Sequence, residues 1–172
     1  MFYMEFALLP KESLRIKGKR CTFVVDPQDK STYNAGLALR IAKESLKNQE
    51  GAILIYGPGE YEVGGVKMNG VRNEGDMIYS MNVDGIDIPL GRLGSIEKMQ
   101  QKLKEHHIVI AYDDTAINPS FVTGLATGAV VFYGVNAKEI AVKFGKENIK
   151  EMEKYTTTLD KLPQEVETIV LV

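Results

Sequence analysis

Between Ala52 and Arg92, glycine-bearing turns cut the chain into short runs: "AILIY", "VKMNGVR", "MIYSMNV" and "IDIPLGR". Apolar runs of this length, separated by turn residues, read as β-strands. Asp84-Gly85, between the last two, is the dipeptide that most favours a tight hairpin. The densest punctuation is "GPGEYEVGG" at residues 57–65. Glycines can let backbone N–H groups approach an anion, so a phosphate cradle is the first reading to test. It fails on spacing, which is neither G-x-x-x-x-G-K-[ST] nor G-x-G-x-x-G, and no helix pattern follows. Glu60 and Glu62 would also repel a phosphate. The glycines are therefore structural, with turns expected at Pro58-Gly59 and Gly64-Gly65.

The rest of the chain continues in the same style. "YMEFALLP", "LRIKGKR" and "CTFVVDP" read as strands, the last two joined by a hairpin turn at Lys17–Gly18–Lys19. "LALRIAKESLKNQE" carries two patterns. Leu39, Ala42 and Leu46 share a helical face, whereas Leu37, Leu39 and Ile41 alternate, and a helix is the expectation. "SIEKMQQKLKEHH" predicts an amphipathic helix capped by Ser95 and ending on two histidines near its negative pole. "HIVIAY" and "AVVFYG" are buried strands, "NPSFVTGLATG" a short helix opened by Asn118 and Pro119, and 136–153 mostly helical. "YTTTLDKLP" and "ETIVLV" end the pattern as strands. Many short strands, few helices and no repeat predict one α/β domain over residues 1–172.

A chain of 172 residues is long enough to build a core without metal or disulfide staples. Its net charge of −2 offers no positive field to recruit nucleic acid or an acidic membrane. The single Cys21 lies in an apolar run, excludes an internal disulfide, and reads as a small buried hydrophobe. The N-terminal stretch lacks the basic region of a signal peptide, and no apolar run approaches the roughly 20 residues of a membrane helix. A cytoplasmic protein is expected.

Chemistry-bearing residues are sparse. The two histidines, His106 and His107, are adjacent, so their side chains diverge and cannot readily share a metal. No G-x-S-x-G elbow accompanies them. Asp113-Asp114 follow a strand, where carboxylates serve either catalysis or a turn.

Several segments, in order, resemble those of small bacterial and archaeal proteins of the metallo-β-lactamase fold. "ILIYGPGEYEVGGVKMNGVR" is similar to a segment reading "GPGEYEV-x-G" followed by a strand with "x-x-G-[IV]". "TFVVDP", "MIYSMNVDGIDIPLGRLG", "HIVIAY", "AVVFYG" and "LDKLPQEVETIVLV" resemble further pieces of the same family. The resemblance implies an α/β (α+β) β-sandwich of two mixed sheets flanked by helices, reduced in size.

It also implies what is missing. The family's activity depends on one or two metal ions, commonly zinc, held by an H-x-H-x-D-H motif, later histidines and an aspartate. Carried over, the first motif falls on Ala42, Glu44, Leu46 and Lys47, and the next histidine on Asn73. The aspartate becomes Arg92, and the last histidine falls at Tyr133 or Gly134. No catalytic residue, metal site or cofactor is therefore expected. The expectation is a non-catalytic scaffold or protein-interaction module that self-associates or binds a catalytic relative. Two alternatives stay open. One is a small anion- or metabolite-binding module using Arg92, Asp113 and Asp114; the other is a metal-dependent hydrolase with a noncanonical or intersubunit site.

Overall fold

The computed structural model describes residues 2–28, 34–41, 51–103, 106–113, 126–143 and 148–172. Two β-sheets pack face to face. The six-stranded sheet is built from β1 (Met4–Leu9), β2 (Ser13–Lys17), β3 (Thr22–Val25), β4 (Leu37–Leu39), β5 (Ile53–Ile55) and β13 (Lys154–Thr157), in the order β13-β1-β2-β3-β4-β5. The second sheet has eight strands. These are β6 (Gly59–Val63), β7 (Val66–Asn73), β8 (Asp76–Val83), β9 (Ile86–Arg92), β10 (His106–Tyr112), β11 (Ala126–Tyr133), β12 (Ile149–Met152) and β14 (Glu167–Leu171). Their order is β12-β14-β11-β10-β9-β8-β7-β6.

Both sheets are mixed. β6 to β9 form an antiparallel meander, and β9, β10, β11 and β14 then run parallel. The turns follow local chemistry. Gly64 and Gly65 have φ of 59° and 79°, and Asp84 and Gly85 have 52° and 83°. Both pairs therefore meet the double positive φ that a two-residue hairpin requires.

Alternation along the strands divides the apolar residues into two cores. Phe6, Leu14, Ile16, Phe23, Leu37 and Leu39 face Met68, Tyr79, Met81, Ile88, Ile110 and Val131 between the sheets. A second core lies outside the eight-stranded sheet. There α1 (Leu93–Met99) and α2 (Ala137–Lys143) cover Ile78, Val109, Ala111, Val130, Phe132 and Val170. Cys21 is buried, and burial pushes its thiol pKa up, as for an inert core thiol.

Four sequence expectations are corrected. Leu37–Leu39 is a strand because parallel neighbours on both sides pair it and bury it completely; the helix expected to continue from it lies outside the described residues. Ser95 does not cap α1. The helix opens two residues earlier at Leu93, leaving Ser95 buried inside it. It also stops at Met99, apart from a short 3-10 turn, so the two histidines open β10 instead of ending a helix. Among the described residues of 136–153 only α2 is helical, and Ile149–Met152 pairs with β14. The helix expected to start at Asn118 lies outside the described residues.

Candidate functional site

Three parallel strands end side by side, at the rim where the two sheets meet. In register, Arg92 lies beside Tyr112 and Tyr112 beside Tyr133. The Tyr112 and Tyr133 rings are 5.2 Å apart between centroids and tilted by 41°. The Tyr112 hydroxyl donates to Glu12 Oε2 at 3.0 Å, tying the rim to the opposite sheet.

Asp26 comes from that opposite sheet, at the "DP" that ends β3. It has a φ of 47°, and its Oδ1 accepts the Ile41 N–H at 3.0 Å. Its carbonyl accepts from Ser13 Oγ at 2.8 Å. The buried carboxylate is thus spent on holding the segment that follows β4. Tyr79 does similar work, donating its hydroxyl to the Arg40 and Ile55 carbonyls.

Tyr133 is almost completely buried, and its hydroxyl has no hydrogen-bond partner among the described residues. Burial pushes its pKa well up, and the charges of Asp26 and Glu12 push the same way, so it stays a neutral phenol. The adjoining Gly134 has a φ of 112°. A Cβ there would sit 2.4 Å from the Asp113 carbonyl oxygen and 2.9 Å from the Tyr112 ring. Asp113 itself is fully buried; its N–H donates to the Tyr133 carbonyl, and its carbonyl accepts from the Asn136 N–H.

Arg92 leads into a polar chain. Its Nη1 is 3.6 Å from Asp76 Oδ2, the Ser95 hydroxyl donates to that same oxygen at 2.9 Å, and Asn73 Nδ2 donates to Ser95 Oγ at 3.3 Å. The hairpin between β7 and β8 supplies Asn73 and Asp76, and α1 supplies Ser95. Asp76 was not singled out in the sequence, and Ser95 only as a helix cap. An aspartate three residues from Asn73, at the other end of a tight turn, was the available signal.

Asn73 and Arg92, two positions where the resemblance places metal ligands, therefore belong to one network. Tyr133, a third, lies two strands from Arg92. Asp114 and the positions of the first ligand motif lie outside the described residues. Among the described residues, those at the rim do not fit a metal. Arg92 puts a cation where the resemblance expects an anionic ligand, and Gly134 has no room for a side chain. Among the described residues no three His, Cys, Asp or Glu side chains converge as a metal would require. The histidines are at the far ends of the strands, where His107 Nδ1 accepts the Asp87 N–H at 3.0 Å.

A concavity of about 650 Å³ lies on the outer face of the meander. Glu60, Glu62, Lys67, Asn69, Ser80, Asn82 and Asp87 line it, with His106 at its base.

Comparison with known proteins adds a decisive observation. A Thermotoga maritima protein described as a candidate Zn-dependent hydrolase of the metallo-β-lactamase superfamily superposes with a TM-score of 0.70. The match covers 98% of either chain at 15% sequence identity. The chain has the metallo-β-lactamase fold. No family model and no curated protein matches the sequence. At this identity the metallo-β-lactamase likeness extends to architecture and leaves the chemistry to this chain's own residues. Among the described residues no helix is long and apolar enough to cross a membrane.

Proposed function

We propose that this chain is a non-catalytic protein on a metallo-β-lactamase fold, serving as a scaffold or interaction module. The observation that carries this reading is the Arg92–Asp76 contact with its Ser95 and Asn73 extension. Metal-dependent hydrolysis needs an ion held by anionic or imidazole ligands, which generates hydroxide and polarises the substrate. Here a guanidinium stands where the resemblance expects a ligand and engages the neighbouring carboxylate itself. The sequence holds only two histidines, and both belong to the opposite ends of the strands.

Elemental analysis of the purified protein, before and after incubation with excess zinc and desalting, tests the reading. Less than about a tenth of an equivalent in both samples is expected, because a ligand set this poor cannot retain zinc through desalting. Near-stoichiometric zinc or manganese would overturn it in favour of a hydrolase with an unconventional or shared site.

A second reading rests on the Arg92 side chain, which keeps a quarter of its surface exposed beside Asp76. It makes the rim an anion-binding site with Arg92 as its contact; Asp113 is buried and Asp114 lies outside the described residues. Thermal-shift measurements with phosphorylated metabolites separate the two readings: stabilisation abolished by Arg92→Ala would favour the anion site.

A further inference from the structure

The concavity on the meander, lined by charged and apolar residues alike, adjoins the free edge of the eight-stranded sheet. β6 ends the strand order and, among the described residues, pairs only with β7. The unpaired side of such a strand presents N–H and C=O groups ready to accept another strand. Tyr61 turns inward against the core, and Glu60 and Glu62 turn to the outer face, opposite Asn69 and Lys67. Both glutamates are exposed, and among the described residues neither forms an ion pair. Asp87 adds a third carboxylate to the same concavity, held by Asn82 Nδ2 at 2.7 Å. Among the described residues Lys67 is the one opposing fixed charge in its lining.

These features choose between occupants. Two copies of β6 pairing about a two-fold axis would bring four glutamates together on one face, and like charges opposed across strands destabilise pairing. A strand with basic side chains at alternate positions does the reverse. Its backbone continues the sheet, and its lysines or arginines fall beside Glu60 and Glu62, with reach towards Asp87. A cavity of about 650 Å³ accommodates the long stems of such side chains.

We infer that the β6 edge and the adjoining concavity bind an extended protein segment with basic residues at every second position, by strand addition. The inference rests on the interaction-module reading and names the chemistry of the partner. The probe is an acetylated heptapeptide, Thr-Lys-Val-Lys-Val-Lys-Thr, titrated into the full chain and followed by backbone amide NMR. Shifts and slowed hydrogen exchange are expected at alternate residues of Gly59–Val63, with side-chain shifts at Asn69 and Asn82. The Glu60→Lys, Glu62→Lys double variant, whose changes are on exposed positions, should weaken binding at least about tenfold. The matching Thr-Glu-Val-Glu-Val-Glu-Thr peptide should bind that variant in preference to the wild type.

No shift at millimolar peptide overturns the inference. So does binding that the double variant leaves intact, which would mark a diffuse attraction to a chain of net negative charge. Peptide-induced dimerisation through β6 would replace the proposed occupant with a second copy. None of these outcomes touches the zinc measurement, so the failure of either reading is separately visible.

Discussion

The rim and the meander concavity are two regions of one eight-stranded sheet, at opposite ends of its strands, and they differ in how far their charged groups are exposed. At the rim, Asp26 holds the Ile41 N–H, Tyr112 donates to Glu12, and Asp76 receives both Ser95 and Arg92. On the meander, Glu60, Glu62 and Lys67 face solvent without ion pairs among the described residues. The difference lies in what is left for a ligand to satisfy. A group already matched inside the protein gains little from a partner, whereas an exposed charge beside an open strand edge gains a hydrogen-bonded neighbour.

The contrast can be broken most forcefully at Gly134. Gly134→Ala must fit a Cβ 2.4 Å from the Asp113 carbonyl at a φ of 112°. A loss of about 3 kcal/mol in urea denaturation is expected from backbone strain and the clash. An unchanged midpoint would show that the rim yields easily. On the meander side the largest effect comes from pH. Burial lowers the His106 pKa below the ordinary 6.5, against the opposing charge of Asp87 and with help from His107. The unfolded chain then takes up a proton that the native state refuses. Stability is fully present above pH 6.5 and falls as the pH drops towards the depressed value, by at most about 1.4 kcal/mol per pH unit. His106→Gln should remove that slope between pH 7 and 5.5.

Smaller effects sharpen the comparison. Arg92→Ala should cost at least about 1 kcal/mol, since among its contacts it removes the partly exposed one to Asp76 while Ser95 remains. Tyr133→Phe is expected to be neutral or stabilising by up to about 1 kcal/mol, because the deleted hydroxyl has no partner among the described residues. A loss of stability would instead reveal a partner. Glu60→Gln with Glu62→Gln should change stability by no more than about 0.5 kcal/mol, as exposed substitutions usually do. These glutamates act on binding.

Much of this architecture was legible because β-strands announce themselves locally. Asp84-Gly85 and Gly64-Gly65 marked two hairpins, and the short runs "VKMNGVR" and "MIYSMNV" between turn residues marked two strands. What failed was decided by distant neighbours. Leu37–Leu39 becomes a strand through pairing with β3 and β5, which no local pattern reports. Ser95 looked like a cap, but the pull of Leu93 into the second core starts the helix earlier and turns the hydroxyl towards Asp76. At the rim, the resemblance pointed to Asn73 and Arg92, and only the tertiary structure shows them joined through Asp76 and Ser95. The meander concavity had no sequence signal beyond two glutamates at alternate positions, a pattern common to many exposed strands.

The pairing of β1 with β13 carries a consequence for how the chain reaches this state. Met4 is partnered with Thr157, a separation of roughly 150 residues, and β14 inserts between β11 and β12. Neither sheet can acquire its final order until Lys154–Leu171 has left the ribosome, so a nascent chain holds both sheets with vacant places. Large loops must then close before these contacts reward the search, which places folding among the slow, high contact-order cases. For most of its synthesis the protein must keep open strands apart, and the charged flanks of Glu60 and Glu62 already serve that purpose at the β6 edge.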